Sequence, residues 1–246
     1  MLWAENIIVS NMYNIVDLNY SKNYKGVKQI KVLRNNDELE NVAHFDKEGR
    51  LVSDSIVDSG KYIVLLFYYG KETPAPQIND SNTCILFHFK DDKNITMKFY
   101  NAPDKEMGDS VLLTLNSRKD LTKADHYLEG SVFQTLSFQT SWTADGNSCA
   151  TKRFINNELK GKVVTTYKNK KMFLNKGFDA SGNPTFEQKF NAYGDLTNES
   201  FSTANYTATN TYKYDSKGHW ISKTQEAKSS RWGTLTETKT RQIVYY

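Results

Sequence analysis

Short runs in which apolar and polar residues alternate recur along this chain about every twelve residues, and most end in a turn-forming cluster. Between Tyr206 and Tyr214, the residues Tyr206, Ala208, Tyr212 and Tyr214 share one face, while Thr207, Thr209, Thr211 and Lys213 share the other. From Thr234 to Tyr246 the alternation sets Thr236, Thr238 and Thr240 against Glu237, Lys239 and Arg241. A period of two is that of a strand, whose successive side chains leave opposite sides of the pleat. Thr, Lys and Glu recur on these faces, so the sheet is expected to be wet on at least one side.

The turns carry a more specific signature. The segments 45–49, 178–182, 190–194 and 214–218 all read aromatic, Asp or Asn, two variable residues, then Gly. The aromatic closes one strand and packs over its neighbour. The Asp or Asn side chain accepts a backbone N–H two residues on and starts the turn. Glycine takes the positive φ that completes it. In steps of twelve, Trp142 leads to Phe154, Thr166 (beside Tyr167), Phe178, Phe190, Ser202 (beside Phe201) and Tyr214. The same step joins Leu33, Phe45, Val57 and Tyr69. One short strand plus one turn fills such a step, which is the spacing of an antiparallel meander.

Residues 73–139 break this rhythm. Residues 73–80 read as a loop, Cys84–Phe89 and Ile95–Tyr100 as a hairpin, and 101–108 as a second loop. Ser117–Tyr127 is the one stretch with room for a short helix. The pattern thus predicts an all-β chain. It is expected to be an antiparallel meander of short strands with a repeat of about twelve residues, curled or twisted into a largely single-layer sheet, with at most one short helix. One continuous domain over 1–246 is expected, with an N-terminal array at 27–72, an irregular middle at 73–139 and a C-terminal array at 140–246.

Composition narrows the picture. Hydrophobic residues make up 38% and the mean hydropathy is −0.65, low for a thick core, yet aromatics reach 13%. Tyrosine covers apolar surface while keeping its hydroxyl wet, which suits a half-wetted sheet. The net charge of +4 is uneven: residues 150–246 hold 16 Lys and Arg against 8 Asp and Glu. Such a basic half attracts acidic partners, although Lys on exposed strands also blocks edge-to-edge aggregation. Cys84 and Cys149 fit either one bridge in an exported protein or two buried thiols in a cytosolic one. No run of eighteen apolar residues is present, so no segment is expected to span a membrane. Met1, Leu2, Trp3 and Ala4 lack the basic-then-apolar order of a signal peptide, which leaves open a protein that stays inside and an exported one whose leader was removed.

On Phe178-Asp-Ala-Ser-Gly182, Phe190-Asn-Ala-Tyr-Gly194 and Tyr214-Asp-Ser-Lys-Gly218, the chain resembles the YD-repeat (RHS-like) and MORN-like β-repeat proteins of bacteria, of the Bacteroidetes type. The resemblance covers 142–246 and, more loosely, 27–70. It implies a repeat sheet serving as a shell, spacer, surface-binding module or immunity component, mostly without catalysis. Several units depart from the family pattern by lacking the literal Tyr-Asp or the Gly.

The search for chemistry points the same way. His44, His88, His126 and His219 show no metal-ligand spacing, and neither a metal nor a cofactor is expected. Asp125 and His126 form the one adjacent acid–imidazole pair. Asp46, Asp179 and Asp215 share a place at the start of a turn, so backbone capping accounts for them. Trp142, Trp220, Trp232, Tyr68 and Tyr69 are the candidate binding residues, since a row of exposed rings would stack on sugars or on a partner's apolar anchors. The expected function is therefore a non-catalytic binding or interaction protein presenting a sheet face to a protein or glycan. The Lys residues are scattered, so nucleic acid is not the expected partner. The alternative from another class is a hydrolase of polysaccharide or peptidoglycan, with carboxylates brought together from distant strands.

Overall fold

A computed structural model describes residues 24–246 apart from 36–37, 59–60, 70–82, 90, 92 and 102–104. The first strands are β1 (Val27–Arg34), β2 (Glu38–Phe45), β3 (Leu51–Asp58), β4 (Lys61–Tyr69), β5 (Thr83–Phe89) and β6 (Asn94–Asn101). Then come β7 (Lys105–Leu115), β8 (Leu121–Leu128), β9 (Ser131–Trp142), β10 (Ser148–Ile155), β11 (Glu158–Lys168) and β12 (Lys171–Asp179). The chain ends with β13 (Pro184–Phe190), β14 (Leu196–Phe201), β15 (Tyr206–Tyr214), β16 (Trp220–Ser229) and β17 (Gly233–Tyr245). Between β14 and β15 sits a 3₁₀ turn, Ser202–Ala204.

Each strand pairs with the next in sequence, and β17 returns to pair with β1, with Ile30 opposite Ile243 and Val32 opposite Arg241. The sheet is therefore a closed barrel of seventeen strands rather than the curled open sheet that the sequence pattern implies. Closure leaves no unpaired edge. A ring built only of antiparallel neighbours needs an even number of strands. Here the odd count is reconciled by one parallel pair, β4 with β5, in which Leu65 lies opposite Ile85. The loop expected at 73–80, between these two strands, lies outside the described residues.

Two further expectations change. Ser117–Tyr127 is not a helix: Asn116–Lys119 forms a tight turn and β8 follows. Residues 105–108, read as loop, begin β7. The turn motif, by contrast, folds as its residues dictate. Gly49 N–H donates to the Asp46 carbonyl and Asp46 N–H to the Arg50 carbonyl, and the same pair of bonds recurs at Asp179, Asn191 and Asp215. Side chains reinforce them: Asp215 Oδ1 accepts from the N–H groups of Lys217 and His219, both at 2.9 Å. Gly49, Gly182, Gly194 and Gly218 all adopt positive φ.

The strand that leaves a hairpin often carries one extra residue. Phe45 pairs with Leu51 but His44 with Ser53, so Val52 is a bulge; Phe173 and Ile221 hold the same place after their own turns, and Phe133 does so in β9. A bulge increases local twist and curvature, which closing a sheet requires. It also turns its residue away from the ladder, and Val52, Phe133, Phe173 and Ile221 are all among the exposed large apolar side chains.

One apolar cluster fills the barrel interior from β1 to β8. It includes Ile30, Val32, Leu65, Phe67, Phe87, Met97 and Leu113, and Trp220 reaches it from β16. Phe67 stacks on Phe87 with centroids 4.9 Å apart, and Tyr69 on Phe89 at 4.7 Å, both across the parallel pair. The outer wall of β10–β17 carries Lys152, Lys162, Thr207, Thr209, Thr236 and Thr238. The inner face of the same strands is polar as well, with Thr151, Thr165, Asn175, Gln188 and Glu199, while an apolar patch of Tyr68, Cys84, Leu86 and Tyr100 lies on the outer face of β4–β6. No described helix is long and apolar enough to cross a membrane.

Candidate functional site

Because neighbouring strands other than the parallel β4 and β5 alternate in direction, the connections after β2, β5, β7, β9, β11, β13 and β15 gather at one end, here called lower, and those after β1, β3, β6, β8, β10, β12, β14 and β16 form the upper rim. At the lower end, aromatic groups are tied to turn carboxylates and to one another. Tyr245 Oη–H donates to Asp215 Oδ2 at 2.5 Å, Tyr214 Oη–H to Asp195 Oδ2 at 2.8 Å, and Trp142 Nε1–H to Asp120 Oδ2 at 3.1 Å. Burial, then the adjacent carboxylate, pushes the Tyr214 and Tyr245 hydroxyls well above the usual phenol range. Tyr24 stacks on Phe45 at 4.7 Å and on His219 at 5.5 Å. These stacks and hydrogen bonds hold the aromatic groups of the lower end in place.

Polar groups that face inward on β1–β3 and β15–β17 form a buried cluster. Asp54 and Asn41 are both 0% exposed, and Asn41 Nδ2 donates to Asp54 Oδ1. Burial raises Asp54 to about 7, against the pull of the Asn41 N–H and the Arg241 charge. Arg241 lies 3.5 Å from the centroid of the Trp220 ring. Nearer the upper rim, Glu40 Oε1 receives both Lys239 Nζ (2.8 Å) and Arg34 Nη2 (2.7 Å). Burial ties this polar cluster to the packing of the barrel interior.

The accessible feature is an aromatic strip along the inner face of the upper rim. Register places it there: Gly177 pairs with Phe186, Phe186 with Phe201, and Phe201 with Tyr206. The rings follow one another at centroid separations of 6.0 Å (Phe186–Phe201), 5.7 Å (Phe201–Tyr206) and 6.2 Å (Tyr206–Trp232). Phe186 lies flat over Gly177, where any Cβ would meet the ring at 2.2 Å, so this glycine is the floor on which the strip begins. Tyr206 Oη–H donates to Glu199 Oε1 at 3.2 Å, which with burial pushes the hydroxyl up to about 12. The first three rings are half-buried and Trp232 is 49% exposed. A groove of roughly 360 Å³ beside Phe186 is lined mainly by Lys176, Phe178, Glu187 and Ser200, which register places on the outer face, so it lies across the wall from the strip.

The sequence candidates scatter. Trp232 alone joins this strip. Trp220 is 2% exposed and belongs to the core. Trp142 stacks on Tyr167 at 5.5 Å at the lower end. Tyr69 faces inward with its hydroxyl on the Leu51 carbonyl at 3.0 Å, whereas Tyr68 packs on the outer face against Cys84, Leu86 and Tyr100. Phe186 went unnoticed in the sequence, Phe201 was marked only as the neighbour of Ser202 and Tyr206 only as part of an alternating strand; strand register brings the three side by side. Asp125 and His126 face opposite ways: Asp125 accepts from Thr135 Oγ1 at 2.7 Å and pairs with Lys123, while His126 meets the edge of Phe133. Cys84 and Cys149 are both free and buried, Cys84 on the outer face of β5 and Cys149 on the inner face of β10. Among the described residues, no group of three or more His, Cys, Asp or Glu side chains converges as metal ligands would.

No protein-family model and no curated protein matches the chain. Among solved structures, a porin-like protein from Bacteroides uniformis is similar over 90% of this chain and 99% of its own, at 12% identity and a TM-score of 0.37. A TcdB2-TccC3-TEV structure aligns with 94% of this chain and 17% of its own, at 10% identity and a TM-score of 0.17. Likenesses this loose bear on neither fold nor function.

Proposed function

We propose that this protein is a non-catalytic binding barrel that holds an extended glycan along the strip Phe186–Phe201–Tyr206–Trp232. The strip itself carries the reading: four rings in sequence, one ring wide, ending in a half-exposed indole. Sugar rings present flat C–H faces that pack on aromatic faces, and successive sugars repeat those faces along a chain. A protein partner typically needs about 800 Å² per side, a broader surface than a single file of rings offers. Gln188 and Glu199 share the inner face with the strip and supply the polar contacts that fix orientation in such sites. The YD-repeat resemblance, with its surface-binding members, accords with this reading.

The test is affinity electrophoresis of the full chain through gels containing a panel of soluble neutral polysaccharides. At least one should retard the protein, and Trp232→Ala and Tyr206→Ala should each abolish the retardation while melting cooperatively. Failure of every polysaccharide to retard, or equal retardation of the variants, would overturn the assignment.

A further inference from the structure

The two ends of the barrel differ in charge as well as in shape. At the lower end the exposed charged side chains among the described residues are Lys25, Lys47, Lys93, Arg118, Lys168, Lys170, Lys171 and Lys217, against Glu48, Asp91 and Asp145. At the upper rim, among the described residues, the exposed cations Arg34 and Arg231 meet Glu38, Glu129 and Glu158. The turn carboxylates Asp46, Asp120, Asp195 and Asp215 lower the net positive charge of this end, but each is held back against its own turn or an aromatic group, so the exposed turn tips carry mainly cations.

The cations are also held in place. Arg50 lies 4.9 Å from the Tyr69 ring centroid, Arg118 5.9 Å from Trp142, Lys168 5.9 Å from Phe173 and Lys217 3.4 Å from Tyr245. Ring faces attract these heads and keep long side chains extended along the end of the barrel. Tyr193, 46% exposed, sits among them at a turn tip, and Tyr246, 57% exposed, closes the ring beside Gly26.

We propose that the lower end is a peripheral docking surface for an anionic lipid bilayer. The cations belong to turns spread round the ring, on the connections after β2, β5, β7, β11 and β15. A linear polyanion meets one arc of such a ring, whereas a planar anionic surface meets all of it. Tyrosine at the level of the cations suits the headgroup region. Each Lys or Arg near an anionic leaflet adds attraction that decays within a Debye length, so binding is electrostatic and salt-sensitive.

The test is co-sedimentation of the full chain with vesicles of phosphatidylcholine alone or with about a third phosphatidylglycerol, at low and high salt. Sedimentation should require phosphatidylglycerol and should disappear at high salt. Replacing three lysines on one turn (Lys168→Gln, Lys170→Gln, Lys171→Gln) should weaken partitioning roughly 100-fold, at about fivefold for each charge. The upper-rim pair Glu129→Gln and Glu158→Gln should leave it unchanged, and circular dichroism confirms that both variants fold. No binding to anionic vesicles, equal binding by the triple variant, or tighter binding to a single-stranded oligonucleotide than to vesicles would overturn the proposal. Because the glycan strip lies at the other end, Trp232→Ala should still sediment, so the two assignments fail separately.

Discussion

Asp54 offers the sharpest test of how the barrel interior is held together. It sits on β3, fully buried, with Asn41 of β2 beside it and Arg241 of β17 as the charge that acts on it. Asn41 Nδ2 donates to Asp54 Oδ1, yet Asn41 Oδ1 and Asp54 Oδ2 accept from no described group. A proton on Oδ2 satisfies both at once: the carboxyl donates to Asn41 Oδ1 and closes a two-bond acid–amide ring. Desolvation favours that neutral form and raises the carboxyl to about 7. An unfolded Asp titrates near 3.9. The folded protein thus retains a proton that the unfolded chain has released between these values, and stability falls as pH rises across that window. The contribution is complete below about pH 4, declines through pH 7 and is absent above it.

The full effect is roughly 4 kcal/mol, at about 1.4 kcal/mol for each pH unit. Asn at this position keeps an N–H donor toward Asn41 Oδ1 and does not titrate. Urea unfolding of the parent and Asp54→Asn at pH 5 and pH 8 isolates the term, since carboxylates held low by their partners, such as Asp145 and Asp179, titrate alike in both proteins. Relative to Asp54→Asn, the parent should lose about 3 kcal/mol between those pH values. Arg241→Gln should move the loss to higher pH by removing the opposing charge. Parallel stability profiles for parent and Asp54→Asn would show that Asp54 does not carry the proton, and the acid–amide pairing would be wrong.

Other perturbations probe separate parts of the molecule. Gly49→Ala places a Cβ 2.4 Å from the Lys25 backbone nitrogen at positive φ, whereas at Gly182, also at positive φ, a Cβ meets open space. Gly182→Ala should cost about 1 kcal/mol and Gly49→Ala distinctly more by thermal melting, and equal costs would refute the close approach. Trp220→Ala should destabilise by about 3–5 kcal/mol while Trp232→Ala stays within about 0.5 kcal/mol, because one empties the core and the other a rim. Burial raises the Cys84 thiol to about 11, so iodoacetamide at pH 8 should label it slowly when folded and rapidly in urea, read by mass spectrometry.

Local chemistry was legible in the sequence and long-range geometry was not. The turns at Asp46, Asn191 and Asp215 follow from short-range hydrogen bonding, and the Tyr206–Tyr214 alternation reports its two faces correctly, with Ala208 buried and Thr209 exposed. Closure depends on β1 meeting β17 across almost the whole chain, and no local pattern encodes that contact. The bulges were hidden because an extra residue at Val52 or Ile221 looks, in a string of letters, like a slip in the alternation. Asp54 carried a faint signal as an acid inside the run Leu51–Val57, but its partner Asn41 is reached only through the register of β2 on β3. The candidate rings failed as a set for the same reason: five residues chosen by type fall on two faces and at two ends, and Trp232 alone meets other rings of the strip.

That division accounts for the difference between the two ends, one holding its rings fixed and the other leaving ring faces open. At the lower end the repeat aromatic is Tyr or Trp in most units, and a neighbouring turn carboxylate or carbonyl takes its polar hydrogen, as at Tyr214, Tyr245, Trp142 and Tyr246. The ring is then fixed, and what remains for a partner is the charge of the turn tips. At the upper rim the connection after β14 is a 3₁₀ turn without a carboxylate, and that after β16 is held by Ser229 Oγ on the Arg231 N–H. Phe186 and Phe201 have no polar atom to anchor, so their faces stay available where the wall opens. Installing an Asp in the Ser202–Asn205 turn should therefore not capture these rings, whereas Phe201→Tyr with an acceptor nearby should draw the strip inward and weaken any ligand that stacks on it. The position of the proposed binding face thus accords with turns after β14 and β16 that lack a carboxylate, while Asp179 in the turn after β12 is taken up by Asn183.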